Sequence, residues 1–223
     1  MAIAVTIQRA FHAIFFLVAT SAVADQHQCS DSILVIHEHR FDALGSVCDG
    51  AEAARVFLRA AGFAVAEPIA IEIVDRLPVE VDRHAVACYV DPEHRVYLLP
   101  PSKIAGLGSS GIDPVDQFPY RSRVAHEVAH AIAAMNFRVS RPTIQAHEYI
   151  AYVTMLATME AAQRERVLTQ FPGDGYETEQ QMNTTIYLCD PMRFGAQAYR
   201  HFLKEGNGTD FIRAILAGEV LAE

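Results

Sequence analysis

The stretch VAHEVAHAIA, residues 124–133, decides how this chain is interpreted. It places His126 and His130 four residues apart, with Glu127 directly after the first histidine, among residues that are otherwise alanine, valine and isoleucine. On a helix, positions four apart lie on the same face, so both imidazoles can point at one metal ion. Glu127 is turned about a quarter turn away from His126 and can reach a water beside that ion. The stretch therefore predicts a helix that carries two metal ligands and a general base.

A competing interpretation is a buried helix whose two histidines are core residues without a metal. The apolar surroundings favour the metal, because two imidazoles and a carboxylate are costly to bury without a partner. Zinc suits a site with two histidines, and a catalytic zinc takes a third protein ligand while one position stays open for water.

Two arrangements could supply the third ligand. In the metzincin arrangement it is a histidine six residues after the second one, but that position holds Asn136. The other is a glutamate on the following helix, and Glu148 in AHEYIAYVTML fits it. At helical spacing Glu148 shares a face with apolar residues that we expect to point inward: Ile144, Tyr152, Met155 and Met159. The open alternatives are a solvated or salt-bridged Glu148, and His147 as ligand, although its side chain points about 100° away from that face.

His126-Glu127-x-x-His130 with the downstream helical Glu148 resembles the gluzincins, zinc metallopeptidases of which the thermolysin-like enzymes are the familiar example. The resemblance runs from the start of one helix to the middle of the next. It implies one zinc per chain held by His126, His130 and Glu148, with Glu127 as the base that activates water for peptide hydrolysis. It also implies a zincin-like fold, in which an edge strand before the metal helix binds an extended substrate. We expect that edge in the hairpin, at residues 96–99.

Two groups of the thermolysin-like pattern are not matched. Where that pattern has an acidic residue one turn after the ligand glutamate, this chain has Tyr152, whose phenol is able to accept a hydrogen bond from the first histidine. No tyrosine or histidine can be assigned to stabilise the oxyanion. Tyr199 and His201 are candidates, although packing and surface roles are the commoner ones for such residues.

Hydrophobic periodicity predicts an α+β fold in one domain over residues 25–223. Strands are expected at residues 33–36 and 69–74, and a hairpin at 85–99 around Asp91-Pro92-Glu93-His94. A helix from Asp49 to the stop at Gly62 packs on this small mixed sheet, which occupies about residues 30–100. The rest, from about residue 116 to 223, is expected to be helical, with helices at 120–135, 143–169 and 191–206 and a last one from Thr209.

The first 24 residues are typical of a cleaved secretory signal peptide. Arg9 precedes an uncharged apolar run that ends in Ala22-Val23-Ala24, and the run is shorter than a bilayer span. We therefore expect a chain exported to the periplasm or the extracellular space, with no stable membrane insertion after cleavage. An even number of cysteines in such a chain predicts two disulfides, whose pairing stays open among Cys29, Cys48, Cys88 and Cys189.

Composition limits the classes of partner. Of the residues, 51% are hydrophobic and 20% charged, which is typical of a globular protein. The net charge is −9, and no block of lysine or arginine offers a phosphate-binding surface. Nucleic acid and anionic membranes are therefore poor partners, and a peptide or protein substrate is expected. The alternative from another class is an exported binding protein with a structural or vestigial zinc site and no turnover.

Overall fold

A computed structural model describes residues 24–30, 32–37, 42–78, 85–106 and 118–222. The predicted signal peptide lies outside these ranges except for its last residue. None of the helices described combines the length and the apolar character that crossing a bilayer requires. The fold is α+β, as predicted, with a mixed sheet in the N-terminal half and a mainly helical C-terminal half.

The sheet has five described strands: β1 (Asp25–Ser30), β2 (Ile33–His37), β3 (Ile69–Ile73), β4 (Ala87–Val90) and β5 (Arg95–Leu98). Their order across the sheet is β1-β2-β3-β5-β4. The three central strands are parallel, whereas each outer strand is antiparallel to its neighbour. In β3, Ile69, Ile71 and Ile73 alternate with less buried residues, which gives the sheet one well-packed face.

The strands predicted at residues 33–36 and 69–74 and the hairpin are confirmed. The expected substrate edge is wrong: β5 pairs with β3 on one side and with β4 on the other, so β4 is the outer strand. In β5, half-buried Arg95 and Tyr97 alternate with buried Val96 and Leu98. Such a pattern shows which face of a strand is packed, but not which of its edges is paired, so it does not identify the outer strand. The strand β1 was not predicted, because its residues are polar and mostly exposed.

The described α-helices are α1 (Leu44–Ala60), α2 (Pro101–Gly106), α3 (Tyr120–Ala134), α4 (Ile144–Thr158), α5 (Ala161–Gln170), α6 (Thr184–Cys189), α7 (Pro191–Leu203) and α8 (Gly208–Ala217). The start predicted at Asp49 is wrong, since α1 begins five residues earlier, at Leu44. The single helix predicted over 143–169 is also wrong. The backbone is extended at Met159, which ends α4, and the second helix, α5, begins at Ala161. Neither α2 nor α6 was predicted, because each has only six residues and shows too little periodicity to detect.

Helices α1 and α3 contact the sheet, α4 packs against both of these helices, and all of these elements share one core. The close approach of α1 to α3 depends on Gly50, because a Cβ atom there would lie 2.9 Å from the Cβ of Val124. This packing buries α3 on most sides, and its residues His126, Glu127 and His130 face a cleft between β4 and α4.

The prediction of two disulfides is half wrong. Cys29 of β1 is bonded to Cys48 of α1, which ties the outer strand to the first helix. Cys88 and Cys189 are free thiols: the first is partly buried on β4, and the second is exposed at the end of α6. An even cysteine count cannot show this, because pairing requires the two side chains to meet in space.

Candidate metal centre

Two helices bring three potential metal ligands together. His126 and His130 lie one turn apart on α3, and Glu148 lies in the second turn of α4. Helix α4 begins where the hydroxyl of Thr143 accepts a hydrogen bond from the backbone N–H of Ala146, so the glutamate is held close to a capped helix end. All three side chains are largely buried, with exposed fractions of 12–14%.

The three ligand side chains form a small triangle, in which each histidine faces a different carboxylate oxygen of Glu148. The two Nε2 atoms are 3.1 Å apart, the Nε2 of His126 is 3.5 Å from Oε2 of Glu148, and the Nε2 of His130 is 3.7 Å from Oε1. Zinc–nitrogen and zinc–oxygen bonds of about 2.0–2.2 Å at tetrahedral angles put ligand atoms about 3.3–3.5 Å apart. The spacing therefore fits one zinc ion.

The buried polar atoms of the triangle are incompletely satisfied by the protein. Oε2 of Glu148 is buried and has no hydrogen-bond partner among the described residues. A buried carboxylate oxygen without a partner is costly, and a cation would compensate it. Two imidazole nitrogens and one carboxylate oxygen are also the ligand set of many catalytic zinc sites. On both grounds, the residues present fit a zinc ion.

The electrostatics of the triangle favour a neutral His130 and an ionised Glu148, whereas the hydrogen bond and charge of Glu148 outweigh burial and raise the pKa of His126. Burial lowers the pKa of His130 to about 3, so this imidazole is neutral at physiological pH. Burial raises the pKa of Glu148, but His130 and His126 outweigh that effect and lower it to about 2. Neutral imidazole and ionised carboxylate are the forms that bind metals.

Glu127 lies beside this triangle and outside it. Its carboxylate accepts a hydrogen bond from the backbone N–H of Tyr89 on β4, which holds it against the outer strand. Burial raises the pKa of Glu127 to about 7. Glu127 thus lies next to the ligands without joining them, which is the position that a general base would need.

The outer strand turns part of its backbone toward the cleft. The backbone N–H of Leu99 donates to the carbonyl of Val86 across the hairpin at 2.9 Å. Along an antiparallel ladder, pairs that are hydrogen-bonded alternate with pairs that are not. The backbone of Cys88 is therefore also hydrogen-bonded to β5, whereas the backbone N–H and C=O groups of Ala87 and Tyr89 point away from β5. The hydrogen bond from Tyr89 to Glu127 agrees with this alternation. The edge of β4 at Ala87 can therefore pair with another chain.

Two residues that sequence reasoning missed line the same cleft. Tyr187 of α6 is partly buried, and its phenol interacts with the carboxylates of Glu148 and Glu127. Cys88 also lines the cleft, where burial, together with the charges of Glu127 and Glu93, raises the pKa of its thiol to about 12. Nothing in the local sequence of α6 indicates such a contact. The local sequence signals only the helix itself, because the side chain of Asn183 caps it by accepting a hydrogen bond from the backbone N–H of Ile186.

Other candidate residues do not join the centre. His147 packs on Phe137, with 4.6 Å between the ring centroids. The group of residues whose ligand atoms lie within 4.8 Å of one another contains His126, His130 and Glu148, but not His147. Tyr199 is buried and its ring stacks with that of Phe202, while His201 is buried and hydrogen-bonded to Tyr149 at 2.7 Å. These two residues belong to the packing of α7, which is the commoner role for such residues, and neither is among the residues that line the cleft.

Tyr152 packs against the first ligand without forming the predicted hydrogen bond. Its ring lies edge-to-face on that of His126, with 4.6 Å between centroids. The Nδ1 atom of His126 is buried and has no hydrogen-bond partner among the residues described. Tyr152 therefore orients His126 by ring packing, and Gly195 of α7 makes room for the tyrosine ring.

A family of proteins of unknown function, DUF6639, matches residues 22–223 of the chain. The chain belongs to this family. No curated protein and no solved structure gives a significant match. For this DUF6639 chain, the geometry of the centre itself is therefore the basis on which we infer a function. The match includes the sheet, the metal-binding triangle and α6.

Proposed function

We propose that this protein is an exported zinc-dependent peptidase, with His126, His130 and Glu148 as zinc ligands. The observation that carries the proposal is the convergence of the three ligand side chains, with 3.1 Å between the two Nε2 atoms and 3.5 and 3.7 Å from these atoms to the two carboxylate oxygens of Glu148. A zinc ion held there would acidify a water molecule and polarise the carbonyl of a peptide bond.

The protein's own residues supply the remaining functions. Glu127, held by the N–H of Tyr89, is placed to accept a proton on its carboxylate and to return it to the leaving amine. The backbone of Ala87 would pair with an extended peptide by strand addition. Tyr187 is the hydroxyl donor we assign to the carbonyl oxygen of the bond being cleaved, because its phenol lines the cleft beside Glu127.

Export to the periplasm or the extracellular space is part of the proposal. The disulfide between Cys29 and Cys48 supports it, because such bonds persist in oxidising compartments. The predicted signal peptide agrees with that location, and a peptide or protein is the expected substrate.

The test compares the zinc-loaded wild type with Glu127→Gln, using an unstructured protein such as casein. We expect one zinc per chain in both proteins. Turnover should be stopped by a chelator and be at least about 100-fold slower in the variant, because general bases contribute that much. One zinc per chain without any turnover would reject the peptidase and favour a binding protein with a structural zinc. Absence of zinc from protein purified without a histidine tag would identify the two histidines as core residues.

A further inference from the structure

The chain segment that follows α8 packs along the connection between α3 and α4. In that connection, the backbone N–H of Arg138 donates to the carbonyl of Leu216 at 2.9 Å. Gly218 lies so close to Val139 that a Cβ atom on the glycine would collide with Cγ1 of the valine. Three residues later the segment reaches Leu221, whose side chain is buried. The segment therefore lies against the link between the two helices that carry the metal ligands.

Leu221 forms two backbone hydrogen bonds with side chains of different elements, which we call the Leu221 bridge. Its carbonyl accepts a hydrogen bond from the hydroxyl of Thr143 at 2.6 Å, and its N–H donates one to Oε2 of Glu179 at 3.1 Å. Thr143 begins α4, the helix of Glu148. Glu179 lies in the short turn before α6, the helix of Tyr187. The bridge therefore joins the segment of a metal ligand to the segment of the proposed hydroxyl donor.

The backbone of Leu221 has a conformation that leucine rarely adopts. Its φ is 53°, in the left-handed region, where the Cβ atom of an L-residue crowds the backbone. Such a conformation persists only where the surrounding contacts over-determine it, and it is found mainly at functional sites. Here the side chain is held in the core, and both backbone groups have partners. The unusual conformation therefore belongs to the bridge.

Helix α6 and the beginning of α4 are also in direct contact beside the metal centre. The hydroxyl of Thr184, at the start of α6, donates to the side-chain oxygen of Gln145, in the first turn of α4, at 2.6 Å. The phenol of Tyr187 is hydrogen-bonded to the carboxylate of Glu148. None of the six residues of α6 is fully buried, so its position depends strongly on such hydrogen bonds. A shift of either helix would move Glu148 and Tyr187 relative to each other.

We propose that Leu221 is a positioning residue of the metal centre, whose bridge holds α4 and α6 where Glu148 and Tyr187 can act together. Leu221 does not line the cleft, so it acts only through Thr143 and Glu179. The inference rests on the proposed function for its effect on turnover. Its effect on zinc binding does not depend on peptide cleavage.

Zinc affinity of Leu221 variants, measured by competition with a fluorescent chelator, tests the bridge. Leu221→Ala removes the buried side chain and keeps the Cβ atom that opposes a left-handed backbone. It should weaken zinc binding at least about tenfold, as loss of groups that hold metal ligands in place does. Leu221→Gly adopts a positive φ freely, keeps both hydrogen bonds and should bind zinc more tightly than Leu221→Ala.

A role in packing alone predicts the opposite order, because glycine leaves the larger gap and the more flexible chain. Val220→Ala is the matched control: this neighbouring side chain is partly buried, and its loss should leave zinc affinity within a few-fold of the wild type. Wild-type affinity in Leu221→Ala, or binding by Leu221→Gly that is no tighter than by Leu221→Ala, would overturn the inference.

Variants of Thr143 test the other end of the bridge, even where a Leu221 variant does not fold. Thr143→Ser keeps the hydroxyl and should bind zinc like the wild type. Thr143→Asp can still cap α4 but has no proton to donate to Leu221, so it should weaken zinc binding at least about tenfold. Wild-type affinity in folded Thr143→Asp would assign the role of Thr143 to capping alone and overturn the bridge.

Turnover of casein tests the α6 end and separates this inference from the function on which it rests. Glu179→Ala should lower kcat at least about tenfold at saturating zinc, because a displaced Tyr187 no longer meets the reacting carbonyl. Gln180→Ala is the control, since this neighbouring side chain is exposed. Unchanged kcat in Glu179→Ala would overturn the coupling to α6 and leave the peptidase standing. The expected order of zinc affinities without any cleavage would reject the peptidase and leave Leu221 as a positioning residue of a zinc site.

Discussion

The Nε2 atom of His126 and the Oε2 atom of Glu148 lie 3.5 Å apart, although the two residues belong to different helices. Neither α3 nor α4 can form the centre alone, because α3 supplies two imidazoles and α4 supplies the carboxylate. The packing of α3 on α4 is therefore part of the site, and changes in that packing should act on metal affinity.

Glu148→Ala should weaken zinc binding by more than about 100-fold, since even changes to groups behind the ligands cost 10–100-fold. The matched control is His147→Ala, which removes the neighbouring side chain and should leave zinc affinity within a few-fold of the wild type. Competition with a fluorescent chelator measures both affinities. A larger loss in the His147 variant would make that histidine the third ligand and reject our assignment.

Tyr187→Phe should lower kcat by about 100-fold or more at saturating zinc, which is the usual effect of removing an oxyanion donor. KM should change little, because the hydroxyl acts mainly on the transition state. Tyr199→Phe is the control, since that ring is packed within the helical half and should not affect turnover. Unchanged kcat in Tyr187→Phe, with zinc bound, would remove Tyr187 from the reaction.

Gly195→Ala should destabilise the fold and weaken zinc binding. A Cβ atom at this position would lie 2.5 Å from Cγ of Tyr152, whose ring packs on His126. Overpacking costs about 1–3 kcal/mol, which exceeds the gain of up to about 1 kcal/mol from helix propensity. Gly45→Ala is the control, because nothing lies within 4 Å of the added atom. Thermal unfolding and zinc titration measure the two effects, and equal behaviour of both variants would contradict the proposed packing role.

Ala87→Pro should raise KM for peptides by about tenfold and leave the fold intact. Proline is tolerated on an outer strand where the N–H points away from the sheet, and the lost N–H is one that we assign to substrate pairing. Ala87→Ser keeps the N–H and should behave like the wild type. Circular dichroism verifies folding. A normal KM in folded Ala87→Pro would show that peptides do not pair with β4 at this position.

Thiol titration should find two free thiols per unfolded, unreduced chain, because Cys88 and Cys189 are unpaired. In the folded protein Cys189 should react rapidly, since it is exposed. Cys88 should react slowly, because burial raises its pKa to about 12 and the thiolate is the reactive form. Cys189→Ser should remove the rapid phase. If no free thiol were found, Cys88 and Cys189 would form the second disulfide that the even number of cysteines predicted.

The sequence by itself determined the features that follow from local periodicity. Four residues make about one helical turn, so the pattern of His126, Glu127 and His130 settles which groups share a face of α3. Of the face of α4 that was predicted to point inward, Tyr152, Met155 and Met159 are buried, because burial requires contiguous apolar surface. The prediction is wrong for Ile144, which is 50% exposed because the first turn of α4 borders the open cleft. The hairpin and the division into a sheet half and a helical half follow from hydrophobic periodicity, which changes along the chain from the period of a strand to that of a helix.

Only the tertiary structure decided which groups surround that helix. It made β4 the outer strand, brought Tyr187 into the cleft and left Cys88 and Cys189 unpaired. These features are contacts between segments that are distant along the chain, and no local periodicity encodes which distant segment will be the neighbour. Metal ligands on one helix face can therefore be predicted from the sequence, whereas the groups that position a substrate beside them depend on how the sheet and helices pack.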